Sequence, residues 1–213
     1  KDGKVVLTDK YTPLSFYNKL WGYDLNNDYV LVMNDPSREY YKVYQIEYDR
    51  HTYDGHDWVY LNLPNEEVKP MLIASLKDST AMYISCDVNK FLNRQKGVMD
   101  LKNFDYESLL GVTMTMDKKE RIITHASASS HAMTLIAVDI DKATSKPTKW
   151  MVENSWGKEN GFKGNYIMTD EWFNEYMFRF VLNKKYVPES VAKLLKQKPI
   201  KLPAWDPMFA PEE

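Results

Sequence analysis

Residues 130–168, SHAMTLIAVDIDKATSKPTKWMVENSWGKENGFKGNYIM, carry the pattern that decides the fold. The apolar run that follows His131 is the strongest strand signal in the chain, and residues 149–154 form a second strand-like run after a short loop. Two such runs with a short connection predict an antiparallel hairpin. This hairpin would bring His131, where the first strand begins, to the same end as Asn154, where the second strand stops.

A histidine beside an asparagine can serve nucleophilic catalysis. The asparagine oxygen accepts the imidazole N–H and thereby fixes the tautomer and orientation of the ring, which is the third-group role in a Cys-His-Asn acyl-transfer site. Trp156 would cover this hydrogen bond and keep water away from it. The residues alone leave another interpretation open, in which His131 is a structural histidine, Asn154 begins a turn and Trp156 belongs to the core.

The other histidines show no comparable pattern. His51 and His56 lie in an acidic, polar segment at residues 49–57, where they could bind a metal ion, although a solvated turn is favoured by the composition. His125 has no patterned partner. We therefore predict neither a metal site nor a cofactor.

Turn residues and periodicity divide the rest of the chain into short elements. Helices are predicted after Thr12, from Asn65 to Leu76, from Phe104 to Leu110 and from Thr169 to Tyr176. Strands are predicted at residues 40–48, 81–88, 112–116, 133–140, 149–154, 166–168 and 178–182. After Asn183, a basic helix from Pro188 to about Lys198 leads into four prolines, which predict an irregular arm laid over a surface with a free acidic tail.

Composition narrows the possible functions. Hydrophobic residues make up 44% of the 213 residues and the net charge is -2, so a sizeable core is possible and nucleic-acid binding has no electrostatic support. No apolar run approaches the roughly 20 residues of a membrane span. The single cysteine, Cys86, excludes an intrachain disulfide.

Several motifs together resemble one family. Residues 152–157, VENSWG, followed by GFKGNYI at 161–167, resemble the asparagine motif of papain-like cysteine peptidases, and SHAMTL at 130–135 resembles their histidine motif. Within that superfamily the sequence is most similar to the bleomycin hydrolase and aminopeptidase C family. The segments that carry this similarity, in the same order, are Asn34–Pro36, Ser85–Val88, His131–Thr134, Thr169–Phe173 and Leu202–Met208.

The resemblance implies an α+β fold, mainly the antiparallel β-barrel half of a papain-like peptidase with flanking helices. Residues 1–183 would form the C-terminal part of the catalytic domain, with a mixed segment at 1–110 and barrel strands at 111–183. Residues 184–213 would form a C-terminal helix and a Pro-rich arm directed toward the active site.

The implied activity is that of a cysteine aminopeptidase acting on peptides with a free N-terminus. His131 would be the general base and acid, Asn154 would orient it, and Trp156 would shield the pair. In this family the chain's own C-terminal carboxylate binds the substrate amine, which assigns that role to Glu213. The family pattern there is small and apolar, whereas this chain has FAPEE at 209–213 and thus departs from it.

The family nucleophile is a cysteine in a Gln-Gly-x-Cys-Trp pattern, which does not occur in these 213 residues. We expect the sequence to begin after the N-terminal half that carries it. Cys86 lies in an apolar run beside Asp87, which would raise the thiol pKa, so a structural role is predicted for it.

The resemblance also implies a homo-oligomer, with a hexamer as one form, and a cytoplasmic location. A chain without its N-terminal half would expose an apolar face, and we expect it to self-associate or to retain that half as a bound partner. The alternative hypothesis is a non-catalytic module, left by a split or truncated gene, that binds peptides or a partner without turnover.

Overall fold

Short strands and helices alternate along the part of the chain that the computed structural model describes, residues 2–5 and 8–209. The strands are β1 (Tyr29–Met33), β2 (Lys42–Ile46), β3 (Trp58–Asn62), β4 (Met82–Cys86), β5 (Leu92–Asn93), β6 (Val98–Met99), β7 (His131–Ile140), β8 (Pro147–Glu153), β9 (Asn165–Thr169), β10 (Met177–Asn183) and β11 (Ile200–Leu202). The α-helices are α1 (Pro13–Leu20), α2 (Leu25–Asp28), α3 (Asn65–Lys77), α4 (Tyr106–Leu110), α5 (Lys118–Ile123), α6 (Asp170–Tyr176) and α7 (Glu189–Ala192).

These strands pair into one sheet in the order β11-β2-β3-β1-β10-β4-β7-β8-β9-β6-β5. The pairs from β1 through β10, β4, β7 and β8 to β9 are all antiparallel, whereas β3 joins β1, β11 joins β2 and β6 joins β9 in parallel. Val43 of β2 and Met99 of β6 belong to the same buried cluster although their strands lie far apart in this order. The sheet therefore curls around one core, which the inner faces of α3 and α6 complete through Leu72 and Phe173.

A second cluster lies around strands β1, β2 and β3. Met33, Tyr44 and Tyr60 pack there with Leu202 and Met208 from the C-terminal arm. The arm thus covers apolar surface that the strands would otherwise expose, and this burial holds it in place.

The β7–β8 hairpin confirms the prediction from the quoted segment. Thr134 pairs with Glu153 and Leu135 with Val152, with an irregularity in the register before Ala137. Met133 and Leu135 point into the core and alternate with exposed residues, as the period of two requires. Mixed α and β content around this antiparallel centre agrees with the predicted α+β class.

Several local predictions are also confirmed. Thr12 is the N-cap of α1, with a reciprocal capping box to Ser15. Gly111 closes α4 in the left-handed conformation, at φ 65°.

The strand predicted at 112–116 is wrong, because this segment has no strand neighbour in the described structure and Val112, Met114 and Met116 are exposed. The prediction of an arm without regular structure is also wrong in part. Residues 200–202 form β11, which pairs with Tyr44, Gln45 and Ile46. The prolines at 199 and 203 flank this short strand instead of interrupting it, so its backbone groups remain free to pair.

Candidate active site

The hairpin places the two predicted residues in direct contact. His131 is the first residue of β7, and Asn154 follows the last residue of β8. The His131 ring nitrogen Nε2 lies 2.9 Å from Asn154 Oδ1. The Asn154 backbone N–H donates to the Gly164 carbonyl over 2.9 Å, which fixes the point where the chain leaves β8.

A backbone group determines which atom donates in this hydrogen bond. The Ser155 N–H lies 2.7 Å from the same Asn154 Oδ1, and a backbone N–H can only donate. The atom that faces it must therefore be the amide oxygen, which accepts a second hydrogen bond from His131. Consequently His131 carries its proton on Nε2, and Nδ1 has a free lone pair to act as a base.

Trp156 lies over the pair. Its ring centre is 4.8 Å from that of His131, with the planes tilted by 34°. Tyr166 meets the indole edge-on at 5.8 Å, and the Arg94 guanidinium lies 4.5 Å from the indole centre. The indole therefore lies against the His131 ring, beside the hydrogen bond to Asn154.

The loop that carries Trp156 is set by a close backbone approach. A Cβ atom on Gly97 would lie 2.6 Å from Gly161 Cα, and a Cβ on Gly161 would lie 2.5 Å from the Asn165 carbonyl oxygen. Both glycines have positive φ angles, 67° and 57°. This approach brings the β5–β6 hairpin, and with it Arg94, against the loop after Trp156. The local sequence around Arg94 contains no signal that predicts its contact with Trp156.

A groove of about 350 Å³ lies beside the pair, on the face of the sheet that is not packed against the main core. Its lining residues are Tyr83, Ala132, Met133, Thr134, Glu153, Asn154 and Ser155. The volume is at the lower end of the range for small-molecule sites.

Cys86 lies nearer to His131 than its sequence position suggests. It is the residue of β4 directly opposite His131 in the antiparallel register. The side chain is fully buried, and burial together with the Asp87 carboxylate raises the pKa of the Cys86 thiol. The thiolate form that a nucleophile needs is therefore disfavoured, as predicted.

The other three histidines are not part of this site. Glu213 lies outside the described residues. His51 and His56 are exposed in the polar loop, and His125 occupies a turn after α5 at φ 58°. Across residues 2–5 and 8–209, no group of three or more His, Cys, Asp or Glu side chains is arranged to hold a metal ion.

The last described residues of the arm approach the open face of the sheet. Phe209 stacks on Tyr60, and the Arg179 guanidinium lies 4.3 Å from the Phe209 ring centre. The Met208 carbonyl accepts a hydrogen bond from Arg179 over 2.8 Å. Asp206, almost fully buried, forms an ion pair with Arg38.

A curled, largely antiparallel sheet presents a histidine held by an asparagine under an indole, an arrangement that fits the papain-like class of peptidase folds. The comparisons agree with this class. The chain belongs to the Peptidase C1-like family, whose profile matches residues 1–209.

Similar proteins include human bleomycin hydrolase, 42% identical over an alignment of 215 residues that covers 99% of this chain and 47% of the human protein. Aminopeptidase C of Lactobacillus delbrueckii subsp. lactis is 38% identical over 98% of this chain and 47% of its own length. The crystal structure of PepW from Lactobacillus rhamnosis HN001 matches with a TM-score of 0.89 at 34% identity, over 95% of this chain and 46% of PepW.

The chain spans about half the length of the curated relatives it matches. In the part of the chain that the structure describes, none of the helices has the length and apolar character needed to cross a membrane.

Proposed function

We propose that this chain supplies the general base, its orienting residue and the hydrophobic shield of a cysteine aminopeptidase. The observation that carries the proposal is the His131–Asn154 hydrogen bond, with its donor and acceptor assigned by the Ser155 N–H. The nucleophilic cysteine comes from a polypeptide segment outside these 213 residues, because Cys86 is buried and its pKa is raised.

In this mechanism His131 Nδ1 takes the proton of the incoming thiol, giving a thiolate and an imidazolium. The thiolate forms a bond to the carbonyl carbon of the first peptide bond, and the imidazolium then protonates the leaving amine as the C–N bond breaks. A water molecule, deprotonated by His131, releases the acyl group as the free amino acid and restores the thiol. Asn154 stabilises the imidazolium and keeps Nδ1 directed at the reacting atoms throughout.

The C-terminal arm is the proposed origin of specificity for free N-termini. Arg179, which contacts Phe209, pairs with Ser85, and Ser85 pairs with Ala132. Two strand spacings, about 10 Å, therefore separate Arg179 from Ala132, which is adjacent to His131. The four residues after Phe209 can span about 13 Å when extended. This length supports a Glu213 carboxylate that reaches the vicinity of His131 and binds the α-amine of the substrate.

The test is complementation with a polypeptide that carries the Gln-Gly-x-Cys-Trp segment, followed by hydrolysis of an aminoacyl reporter. We expect thiol-dependent activity, and we expect His131→Ala to lower kcat/KM by about 10²–10⁴-fold because the general base is removed. His125→Ala and Cys86→Ala are matched controls that should retain activity. Full activity of the His131→Ala chain would refute the site assignment.

The same assay tests the arm. A reporter with an acetylated α-amine should be a poor substrate, because it offers no positive charge to the carboxylate. Removal of residues 210–213 should relax this preference. An unchanged preference would exclude Glu213 as the amine anchor.

A second candidate function is a non-catalytic module that binds peptides or a partner. It is favoured by one observation, namely that the only thiol of the chain is buried beside Asp87. It predicts stable folding together with the absence of thiol-dependent turnover in every complementation. Assembly into a homo-oligomer, including a hexamer, and a cytoplasmic location are further proposals that rest on the family resemblance.

A further inference from the structure

The loop that leads into His131 is held by three consecutive residues at the end of the neighbouring strand β4 and directly after it. Residues 124–130 connect α5 to β7, and Ala126–Ser130 consists only of alanine and serine. We propose that Ser85, Cys86 and Asp87 form a positioning clamp that sets the location of His131 through this loop. The effect of the clamp on the reaction rests on the proposed function, but its effect on the His131 ring does not.

The clamp is needed because His131 has a strand neighbour on one side only. The ladder between β7 and β8 begins at the Thr134–Glu153 pair, three residues after His131. On the β4 side, His131 pairs with Cys86. The small side chains of the preceding loop contribute little apolar burial, so hydrogen bonds must determine its path.

The first attachment is between Asp87 and Ser127. The Ser127 hydroxyl donates to Asp87 Oδ2 over 2.7 Å, and both side chains are buried. The Asp87 backbone N–H donates to the Tyr176 carbonyl over 3.0 Å, which anchors this end of β4 to α6. A hydrogen bond to a buried carboxylate is stronger than one between neutral groups. Ser127 therefore fixes the middle of the loop to a rigid part of the fold.

The other hydrogen bonds of the clamp, made by Cys86 and Ser85, act directly at the end of the loop. The Ser130 backbone N–H donates to the Cys86 carbonyl over 3.0 Å. The Ser85 hydroxyl donates to the His131 carbonyl over 3.0 Å, so the Ser129 hydroxyl, 2.5 Å away, must be the donor in its bond to Ser85. The last two residues of β4 and the residue that follows them thus hold the chain at positions 127, 129, 130 and 131. Cys86 belongs to this clamp through its backbone and not through its thiol.

The experiment measures the His131 ring in the full chain by NMR. The chain has only four histidines, so selective ¹⁵N-histidine labelling gives few signals. The readout is the exchange rate of the Nε2 proton with solvent, because this proton is held by Asn154. Ser127→Ala removes the hydrogen bond to Asp87, and we expect the exchange rate to rise about tenfold as the ring loses its fixed position.

Ser75→Ala is the matched control. Ser75 is also buried and its hydroxyl donates to the Thr80 carbonyl over 3.0 Å, but it lies in α3. Ser75→Ala should lose about as much thermal stability as Ser127→Ala, but the exchange rate of the His131 Nε2 proton should not change. Ser127→Thr keeps the hydroxyl and should show the wild-type exchange rate. Equal exchange in Ser127→Ala and the wild type would overturn the clamp.

If Ser127→Ala does not fold, Asp87→Asn provides the second variant. The amide oxygen can still accept the Ser127 hydroxyl, but the hydrogen bond loses the carboxylate charge, so we expect a rise of about threefold. An unchanged rate in this folded variant would contradict the proposal.

The complemented enzyme gives a second, independent readout. Ser127→Ala should lower kcat about 10–100-fold with KM within twofold, because a misplaced base impairs the chemical step more than binding. A rise in KM without a fall in kcat would contradict a positioning role. If the wild-type chain gains no activity in any complementation, the proposed function fails, whereas the NMR measurement still decides the clamp.

Discussion

The tautomer of the His131 ring follows from a single backbone group, the Ser155 N–H. Because this group can only donate, it orients the Asn154 amide, and the amide in turn selects the Nε2–H tautomer of His131. An asparagine followed by a serine in sequence does not reveal this geometry. It arises because the chain turns sharply after β8 and folds the Ser155 amide back toward the Asn154 side chain.

Lys118, the first residue of α5, is a buried lysine with an unusual pKa. Its Nζ donates to Asn34 Oδ1 and to the Met177 carbonyl, each over 2.6 Å, and to the Asn174 carbonyl over 3.1 Å. Burial lowers the pKa of Lys118 from its ordinary value to about 7 in spite of these acceptors. The desolvation of the ammonium group therefore outweighs the hydrogen bonds that favour it.

We predict a stability effect from Lys118 at alkaline pH. The unfolded chain keeps this proton up to a pH near 10.5, whereas the native chain releases it near pH 7, so unfolding takes up a proton between these values. Raising the pH should therefore increase the free energy of unfolding by about 1 kcal/mol per pH unit between pH 7.5 and 9.5. Urea unfolding at several pH values measures this slope.

Lys118→Met should remove this contribution, and Lys119→Met, at the adjacent exposed position, should leave it in place. If the slopes of the wild type and Lys118→Met are equal, the three oxygen acceptors keep Lys118 protonated in the native state and the assigned pKa is wrong.

Among the elements, the β7–β8 hairpin and the two loops around Trp156 build the site. The hairpin is local in sequence, so its pairing follows from alternation and a short connection. The approach of Gly97 to Gly161 is different, because it joins the β5–β6 hairpin to a loop more than sixty residues later. Only the three-dimensional packing reveals that these two glycines meet.

We predict that Gly161→Ala disturbs this contact. Its Cβ would lie 2.5 Å from the Asn165 carbonyl oxygen, in addition to the cost of a positive φ angle for alanine. We expect the free energy of unfolding to fall by about 3 kcal/mol, since backbone must shift to relieve the overlap. Thermal and urea unfolding give the value.

Gly111→Ala is the matched control for this prediction. Gly111 has a similar φ angle of 65°, but a Cβ there would meet no atom within 4 Å. Its loss of about 1 kcal/mol measures the backbone cost alone. Equal losses in the two variants would mean that the overlap with the Asn165 carbonyl oxygen adds no cost.

At the scale of the whole molecule, apolar side chains lie exposed on and beside helices α1 and α4 in the described residues. Helix α1 has no buried residue, although it carries Leu14 and Phe16, and Trp21 after it is 58% exposed. Leu109 and Leu110 of α4 are 77% and 61% exposed. Apolar side chains clustered in this way on a surface mark contacts with another polypeptide.

We therefore predict that the isolated chain self-associates. Light scattering at tens of micromolar should give a mass above the 25.0 kDa of one chain. Addition of a complementing polypeptide should replace this association by a defined complex, because it buries the same surfaces. A monomer at every concentration, with no bound fragment, would contradict the prediction.

The sequence by itself determined the features that depend on neighbours along the chain. These include the β7–β8 hairpin, the proximity of His131 to Asn154, the caps of α1 and α4, and the motifs that identify the family. Each follows from short-range physics, namely strand alternation, hydrogen-bond capping and the backbone freedom of glycine.

Only the tertiary structure decided which distant residues meet. It placed Cys86 opposite His131 yet buried it, joined Asp87 to Ser127, laid Arg94 on Trp156 and turned residues 200–202 into a strand beside β2. It also left residues 112–116 without a strand partner. The physical reason is that strand pairing and burial depend on the surface offered by other segments, which a local pattern of residues does not contain.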